Sequence, residues 1–199
     1  MSVHTIILAA GQGSRMKSNK AKVLQRIGGT SMLEKICHTA GAVSSDITLV
    51  VGFDKESVLE EAGNYNLNIT SSLQPKPIGT GDAVRCGLDK VQNDSKVLVL
   101  YGDVPLIKRE TLQNLIDSSN SGLSILTTVL DKPFGYGRVK TNDNNEALEI
   151  VEEKDATDKE RQIQEIFTGV LCGSKALIEE GLSRITNNNA AGEFYLTDL

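Results

Sequence analysis

The first thirteen residues constrain the fold more than any other stretch. Val3–Leu8 is a short run rich in apolar and β-branched residues, and it leads straight into Gly11-Gln12-Gly13. A strand of this kind is buried on both faces, as in a parallel sheet, and open α/β sheets bind ligands at the carboxyl ends of such strands. Gly11 and Gly13 carry no side chain, so backbone N–H groups there can approach phosphate oxygens. The loop is not a Walker A motif, because the Gly-Lys-Ser/Thr ending is missing. Met16 stands where a dinucleotide fingerprint needs its third glycine. Arg15, Lys17, Lys20 and Lys22 follow instead. Glycines flanked by cations suit a triphosphate, whose leaving pyrophosphate gains charge in the transition state. An ordinary strand-to-helix turn with a solvated basic loop has the same pattern.

The rest of the chain alternates. Strands are expected at Ile47–Val51, Leu67–Leu73 and Val97–Tyr101. Helices are expected at Ser31–Val43, Lys55–Ala62, Gly81–Val91 and Arg109–Ser118. Within the first helix Leu33, Ile36, Cys37 and Ala40 share one face. This order predicts a doubly wound, mostly parallel sheet covered on both faces, with a nucleotide-binding part over about residues 1–120. The pattern then changes, and residues 121–199 read as a second part. It has a strand at Leu123–Val129, a turn at Pro133–Gly137 and a small hairpin of Arg138–Lys140 with Ala147–Glu152. A short capped helix at Asp155–Glu160, a strand at Ile166–Cys172 and a helix at Ser174–Ile185 with Ser174 as N-cap complete it. The last residues, Thr197-Asp198-Leu199, begin a new apolar segment, so we expect a domain incomplete at its carboxyl end.

Composition removes several classes. With 199 residues, 39% hydrophobic and 24% charged, the chain has the make-up of one soluble domain. A net charge of −5 offers no basic field for nucleic acid. No apolar run is long enough to cross a membrane, so no membrane insertion is expected, and the run from Val3 to Ala10, with no basic stretch before it, is not expected to act as a secretory leader. Cys37, Cys86 and Cys172 form neither a CxxC pair nor a Cys/His cluster, so reduced thiols in a cytoplasmic protein are expected. His4 and His38 are isolated, and neither is expected to act in catalysis.

Two further stretches carry candidate chemistry. Tyr101-Gly102-Asp103 ends the most apolar strand, where a carboxylate can hold Mg²⁺ against phosphate oxygens; an aspartate capping the next helix reads equally well. Gln74 through Ala83 contains Pro75, Pro77, Gly79, Thr80 and Gly81. Gln74 offers both donor and acceptor, as a pyrimidine edge requires, though a turn with Thr80 as N-cap is the simpler account.

Leu8–Met16 with Lys22-Val23-Leu24 resembles the signature of the sugar nucleotidyltransferase superfamily. Ile78–Gly81, Ile150–Ala156, Arg161–Ile166 and Thr186–Asp198 are more specific. In order and over the whole chain, they resemble the uridyltransferase half of the bifunctional N-acetylglucosamine-1-phosphate uridyltransferase/glucosamine-1-phosphate acetyltransferases, the GlmU family. The resemblance implies a Rossmann-like nucleotide-diphospho-sugar transferase fold. It also implies a Mg²⁺-dependent reaction of UTP with N-acetyl-α-D-glucosamine 1-phosphate, giving UDP-N-acetylglucosamine, a peptidoglycan and lipopolysaccharide precursor, and pyrophosphate. By matching motif positions, Arg15, Lys22 and Asp103 are the catalytic set, with Asp103 the metal ligand. Leu8, Ala10, Gly11, Gly13, Lys22, Gln74, Gly79, Thr80, Tyr101 and Gly102 hold the nucleotide. Thr80, Gly137, Glu152 and the position of Phe167 face the sugar.

Some positions depart from that family. Ala21 replaces a proline before the loop lysine, which is expected to loosen the loop. Asp82 replaces a histidine and brings negative charge towards the uridine site. Phe167 replaces a sugar-contacting asparagine, and a lost hydrogen bond costs about 0.5–3 kcal/mol. Another sugar or base, or nucleotide binding without turnover, are the alternatives these departures leave open. The family's second metal ligand and its β-helix acetyltransferase half lie beyond residue 199. A monomer is expected for this length, and a trimer for a full-length enzyme of that family.

Overall fold

The computed structural model describes residues 2–13, 16 and 18–199. One mixed sheet organises them. Its parallel core is β5 (Ile69–Leu73), β4 (Asp46–Val51), β1 (Val3–Ala9) and β6 (Lys96–Tyr101), in that spatial order. β1 lies between two parallel neighbours, with Leu8 beside Val50 on one side and Tyr101 on the other. Its side chains alternate between two cores. Ile7 and Ala9 face α1 (Met32–Gly41), α2 (Lys55–Ala62) and α4 (Arg109–Ser118); Ile6 and Leu8 face α3 (Thr80–Leu88) and α5 (Lys175–Arg184). Helices therefore cover both faces, as the alternation predicts. Leu33, Ile36, Cys37 and Ala40 of α1 are all fully buried. Ser31 and Ser174 accept hydrogen bonds from the N–H groups of Glu34 and Leu177, which fixes where α1 and α5 begin.

The second part of the chain extends the same sheet. β10 (Glu165–Ser174) runs antiparallel to β6 through Leu171–Ser174 and pairs along its opposite edge with β7 (Ser124–Val129). Beyond the end of β6, the first edge of β10 is taken up by β8 (Arg138–Thr141), which pairs with β9 (Ala147–Val151). The β10 register breaks between Phe167 and Leu171, where Gly169 has φ +86°. A Cβ at Gly169 would overlap the Tyr101 ring, so only glycine lets β10 pass the carboxyl end of β6.

Two expectations change, and one element is new. Asp155–Glu160 is not a helix: two turns lead into a single 3₁₀ turn at Glu160–Gln162. Asp155 accepts from Ala190 N–H at 2.9 Å instead of capping its own segment. Thr157 and Glu160 do form reciprocal capping bonds, but the backbone turns extended at Ile163. A small hairpin, β2 (Arg26–Ile27) with β3 (Thr30–Ser31), turns at Gly28-Gly29, both with positive φ; the Gly-Gly pair is its sequence signal. Ala21 anchors the loop rather than loosening it, because its N–H donates to Asp54 Oδ2 at 3.0 Å, a bond proline cannot make.

Candidate active site

The cavity lies at the carboxyl edge of β1 and β6 and encloses about 370 Å³. Leu8, Ala10, Gly11, Gly13, Lys22, Gln74, Gly79, Thr80, Tyr101 and Asp103 line it, so residues far apart in sequence converge there. Ala9, Val23, Pro77, Ala83 and Glu193 complete the lining. None of these five is among the site residues expected from the sequence, although each lies within a stretch singled out there. Arg15 lies outside the described residues.

Each wall has a local cause. The glycine loop is tied back where Phe53 N–H donates to Ala10 O at 3.1 Å. Gly13 has φ +65°, and a Cβ there would stand 2.7 Å from Lys22 Cβ. Gly13 thus makes room for the lysine stem, while Gly11 faces open space. Lys22 Nζ donates to Asp103 Oδ2, joining the loop to the end of β6. Gly102 does not line the cavity. Its N–H donates to Leu8 O at 3.0 Å, and a side chain there would strike Val23. It holds Asp103 in place from behind.

The opposite wall is the segment before α3. Gly79 has φ +129°, and a Cβ would overlap the Phe194 backbone. Gly81 N–H donates to Phe194 O and Phe194 N–H to Ile78 O, both at 2.8 Å. Thr80 is not an N-cap: Gly79 occupies that place, and Thr80 Oγ1 accepts from Leu196 N–H at 3.0 Å. The carboxyl-terminal residues therefore strap this wall down. Gln74 is buried and donates to Gly79 O and to Asp82 Oδ2. The charge of Asp82 is directed at that amide and towards Arg85, 3.9 Å away.

The three sugar positions outside the cavity lining are differently placed. Glu152 follows β9 and accepts from Thr197 Oγ1 at 2.9 Å. Gly137 lies beside it, since a Cβ there would be 3.7 Å from Glu152 Oε1 and 2.9 Å from Ile150. Burial pushes the Glu152 carboxyl above the usual range; the Thr197 bond opposes this, and Asp198, Asp155 and Glu193 add to it. Tyr101 links the two groups. Burial pushes its phenol up to about 12, the Thr80 hydroxyl works the other way, and the charges of Glu152 and Asp103 push it further up. The Phe167 side chain is only 6% exposed and packs in the core on the α3 and α5 face. Its N–H donates to Gly137 O at 2.9 Å, so this position reaches the site through its backbone.

A carboxylate–ammonium pair across a glycine loop, beside a polar wall built on backbone groups, can bind a phosphorylated nucleoside and neutralise developing charge. Residues 5–179 match the MobA-like NTP transferase domain. The chain belongs to this NTP transferase family. The bifunctional protein GlmU of Methylococcus capsulatus is 46% identical over 201 aligned positions, covering 100% of this chain and 43% of that protein. The GlmU protein of Pseudomonas syringae is 45% identical, covering 100% and 44%. The chain thus spans less than half the length of the curated relatives it matches, and the likeness to GlmU read from its motifs runs along its whole length. A UDP-glucose pyrophosphorylase solved with UDP-glucose superposes with a TM-score of 0.80 at 16% identity, covering 100% of this chain and 85% of that one; it shares the fold. Among the described residues no helix is long and apolar enough to cross a membrane, and no group of three or more His, Cys, Asp or Glu side chains could hold a metal.

Proposed function

We propose that this chain transfers UMP from UTP to N-acetyl-α-D-glucosamine 1-phosphate, releasing pyrophosphate. One observation carries the reading: the glycine loop, the Lys22–Asp103 pair and the Gln74–Gly79–Thr80 wall meet in one cavity at the carboxyl edge of the parallel strands. The likeness to GlmU supports the choice of base and sugar. A phosphate oxygen of the sugar phosphate attacks the α-phosphorus of UTP in line, and the bond to the bridging β-phosphate oxygen breaks. The protein forms no covalent intermediate, so its task is positioning and charge neutralisation. Lys22, with Arg15, neutralises the leaving pyrophosphate. Residues 1–120 supply the nucleotide side. Residues 121–199, with Gly137 and Glu152, supply the sugar side, where Glu152 accepts from an acetamido N–H or a sugar hydroxyl.

Asp103 fits magnesium of a particular kind. It is one hard carboxylate facing the cavity, with no metal-binding cluster of three around it among the described residues. Magnesium commonly binds through one or two carboxylates plus substrate phosphates, so Asp103 would hold an ion that arrives with UTP. That ion would supply neutralisation of the phosphate oxygens. A cytoplasmic setting agrees with three free cysteines and nucleotide substrates.

The reading is tested by pyrophosphate release with UTP, dTTP and CTP, each against N-acetylglucosamine 1-phosphate and glucose 1-phosphate. Equal rates with dTTP and glucose 1-phosphate would sink it. Buried Phe167 favours a second reading, a related transferase with another sugar, because its ring offers no hydrogen bond. Preference for a sugar phosphate lacking the acetamido group would select that reading. Tight UTP binding with no turnover would mark a nucleotide-binding chain only.

A further inference from the structure

Gln74 is held from inside the fold. Its amide nitrogen donates to Gly79 O at 3.0 Å and to Asp82 Oδ2 at 2.9 Å. A primary amide has two N–H donors and one carbonyl acceptor, so both donors are spent on the protein. Oε1 is the polar atom left for a ligand, and Gln74 lines the cavity although only 6% exposed. Turning the amide over would set Oε1 against a backbone carbonyl and a carboxylate at once. Both hydrogen bonds would be lost and lone pairs would face lone pairs. Asp82 is itself constrained. Arg85 lies 3.9 Å from its other oxygen, donates to Leu182 O at 2.8 Å and stacks over the Phe194 ring at 5.4 Å.

We infer that Asp82 is a positioning residue that fixes the Gln74 amide with its carbonyl oxygen towards the ligand, so that the site selects bases presenting a ring N–H at that point. Uracil presents N3–H there and cytosine a lone pair. In the same pose cytosine sets acceptor against acceptor, and to offer its exocyclic amine it must slide along the wall. Thymine carries the same N3–H, so this device separates UTP and dTTP from CTP and leaves UTP and dTTP alike. The inference rests on the proposed reading of this wall as the base site.

The test is calorimetric binding of UTP, dTTP and CTP to the full chain and to its Asp82→Ala and Asp82→Asn variants. In the unaltered protein CTP should bind more weakly than both UTP and dTTP. Asp82→Ala should reduce that discrimination about tenfold or more, the scale of a lost charge-assisted hydrogen bond. Asp82→Asn keeps a side-chain acceptor and should retain more of it. In ligand-free protein, the two Gln74 side-chain amide protons should exchange slowly with solvent, and faster in Asp82→Ala. Discrimination against CTP that survives unchanged in a folded Asp82→Ala protein, with unchanged exchange, overturns the inference alone. An unaltered protein that binds CTP as well as UTP overturns the base-site reading and this inference together.

Discussion

The parallel half of the sheet brings residues to the cavity by a different route from the antiparallel half. On the parallel side a functional group sits one to three residues beyond a strand end. Asp103 follows β6 in this way, and Gln74 follows β5 directly. The placement of Asp103 is inherited from β6, whose side chains are almost all buried, whereas Gln74 follows an edge strand with no buried side chain and is itself buried. On the antiparallel side Gly137 and Glu152 flank a two-stranded hairpin, and their approach depends on β10 crossing from β6 to β8. One glycine, Gly169, and a strap of carboxyl-terminal residues hold that arrangement. The position of Asp103 is a consequence of core packing, whereas the approach of Gly137 and Glu152 is assembled from distant pieces. It follows that function and stability should separate on the parallel side and move together on the other.

The largest effect expected is on turnover. Asp103→Asn should lower pyrophosphate release about 10²–10³-fold, as for loss of one transition-state charge contact. Thermal stability should hardly change. The side chains of Lys22 and Asp103 are 38% and 30% exposed, and an ion pair that open to solvent contributes about 0–1 kcal/mol. A large drop in melting temperature would make the pair structural and blur the distinction between the two halves. Gly169→Ala comes next and should act the other way round. Its φ of +86° and the overlap with the Tyr101 ring should cost about 2–4 kcal/mol, read by denaturant unfolding. Gly11→Ala is the control, because nothing lies within 4 Å of its Cβ position. It should leave unfolding unchanged while weakening UTP binding.

The same contrast explains what could be read in the sequence. Lys55–Ala62 and Arg109–Ser118 form helices with the bounds their sequence pattern indicates, and β1 differs by one residue. Period and capping are local properties, and buried parallel strands are nearly continuous apolar runs. Of the cavity lining on that side, Gly11, Gly13, Lys22, Gln74 and Asp103 were legible from glycines, charge and strand ends, and Leu8, Ala10 and Tyr101 only through the family resemblance. Asp155–Glu160 departs from its pattern because Asp155 bonds to a distant partner and the chain turns extended at Ile163, although Thr157 and Glu160 cap each other locally; a local pattern carries no record of Ala190. Phe167 is the sharper case. Motif matching places it at the sugar, whereas the register break beside Gly169 leaves its ring in the core. Asp82 reads as an added negative charge in sequence, but becomes an anchor once Gln74 lies across from it.

The smallest effect concerns Glu152 and tests whether its environment is as enclosed as its partners imply. Burial raises its carboxyl above the ordinary 4.5, so the folded state holds this proton more tightly than the unfolded state. Between the two values the folded chain binds more protons, and stability therefore falls as pH rises from about 4.5 through the raised value. Glu152→Gln removes the titration and keeps an oxygen for the Thr197 hydroxyl. The variant should be slightly more stable than the parent at pH 7 and no more stable at pH 4, in parallel unfolding curves at the two values. Asp198, raised by burial and by Asp155, should leave a residual slope of the same sign in the variant. A parent whose stability increases across this interval, with the increase lost in Glu152→Gln, would mean that hydrogen bonding outweighs burial at Glu152. The surroundings of Glu152 would then be as solvated as those of Lys22 and Asp103.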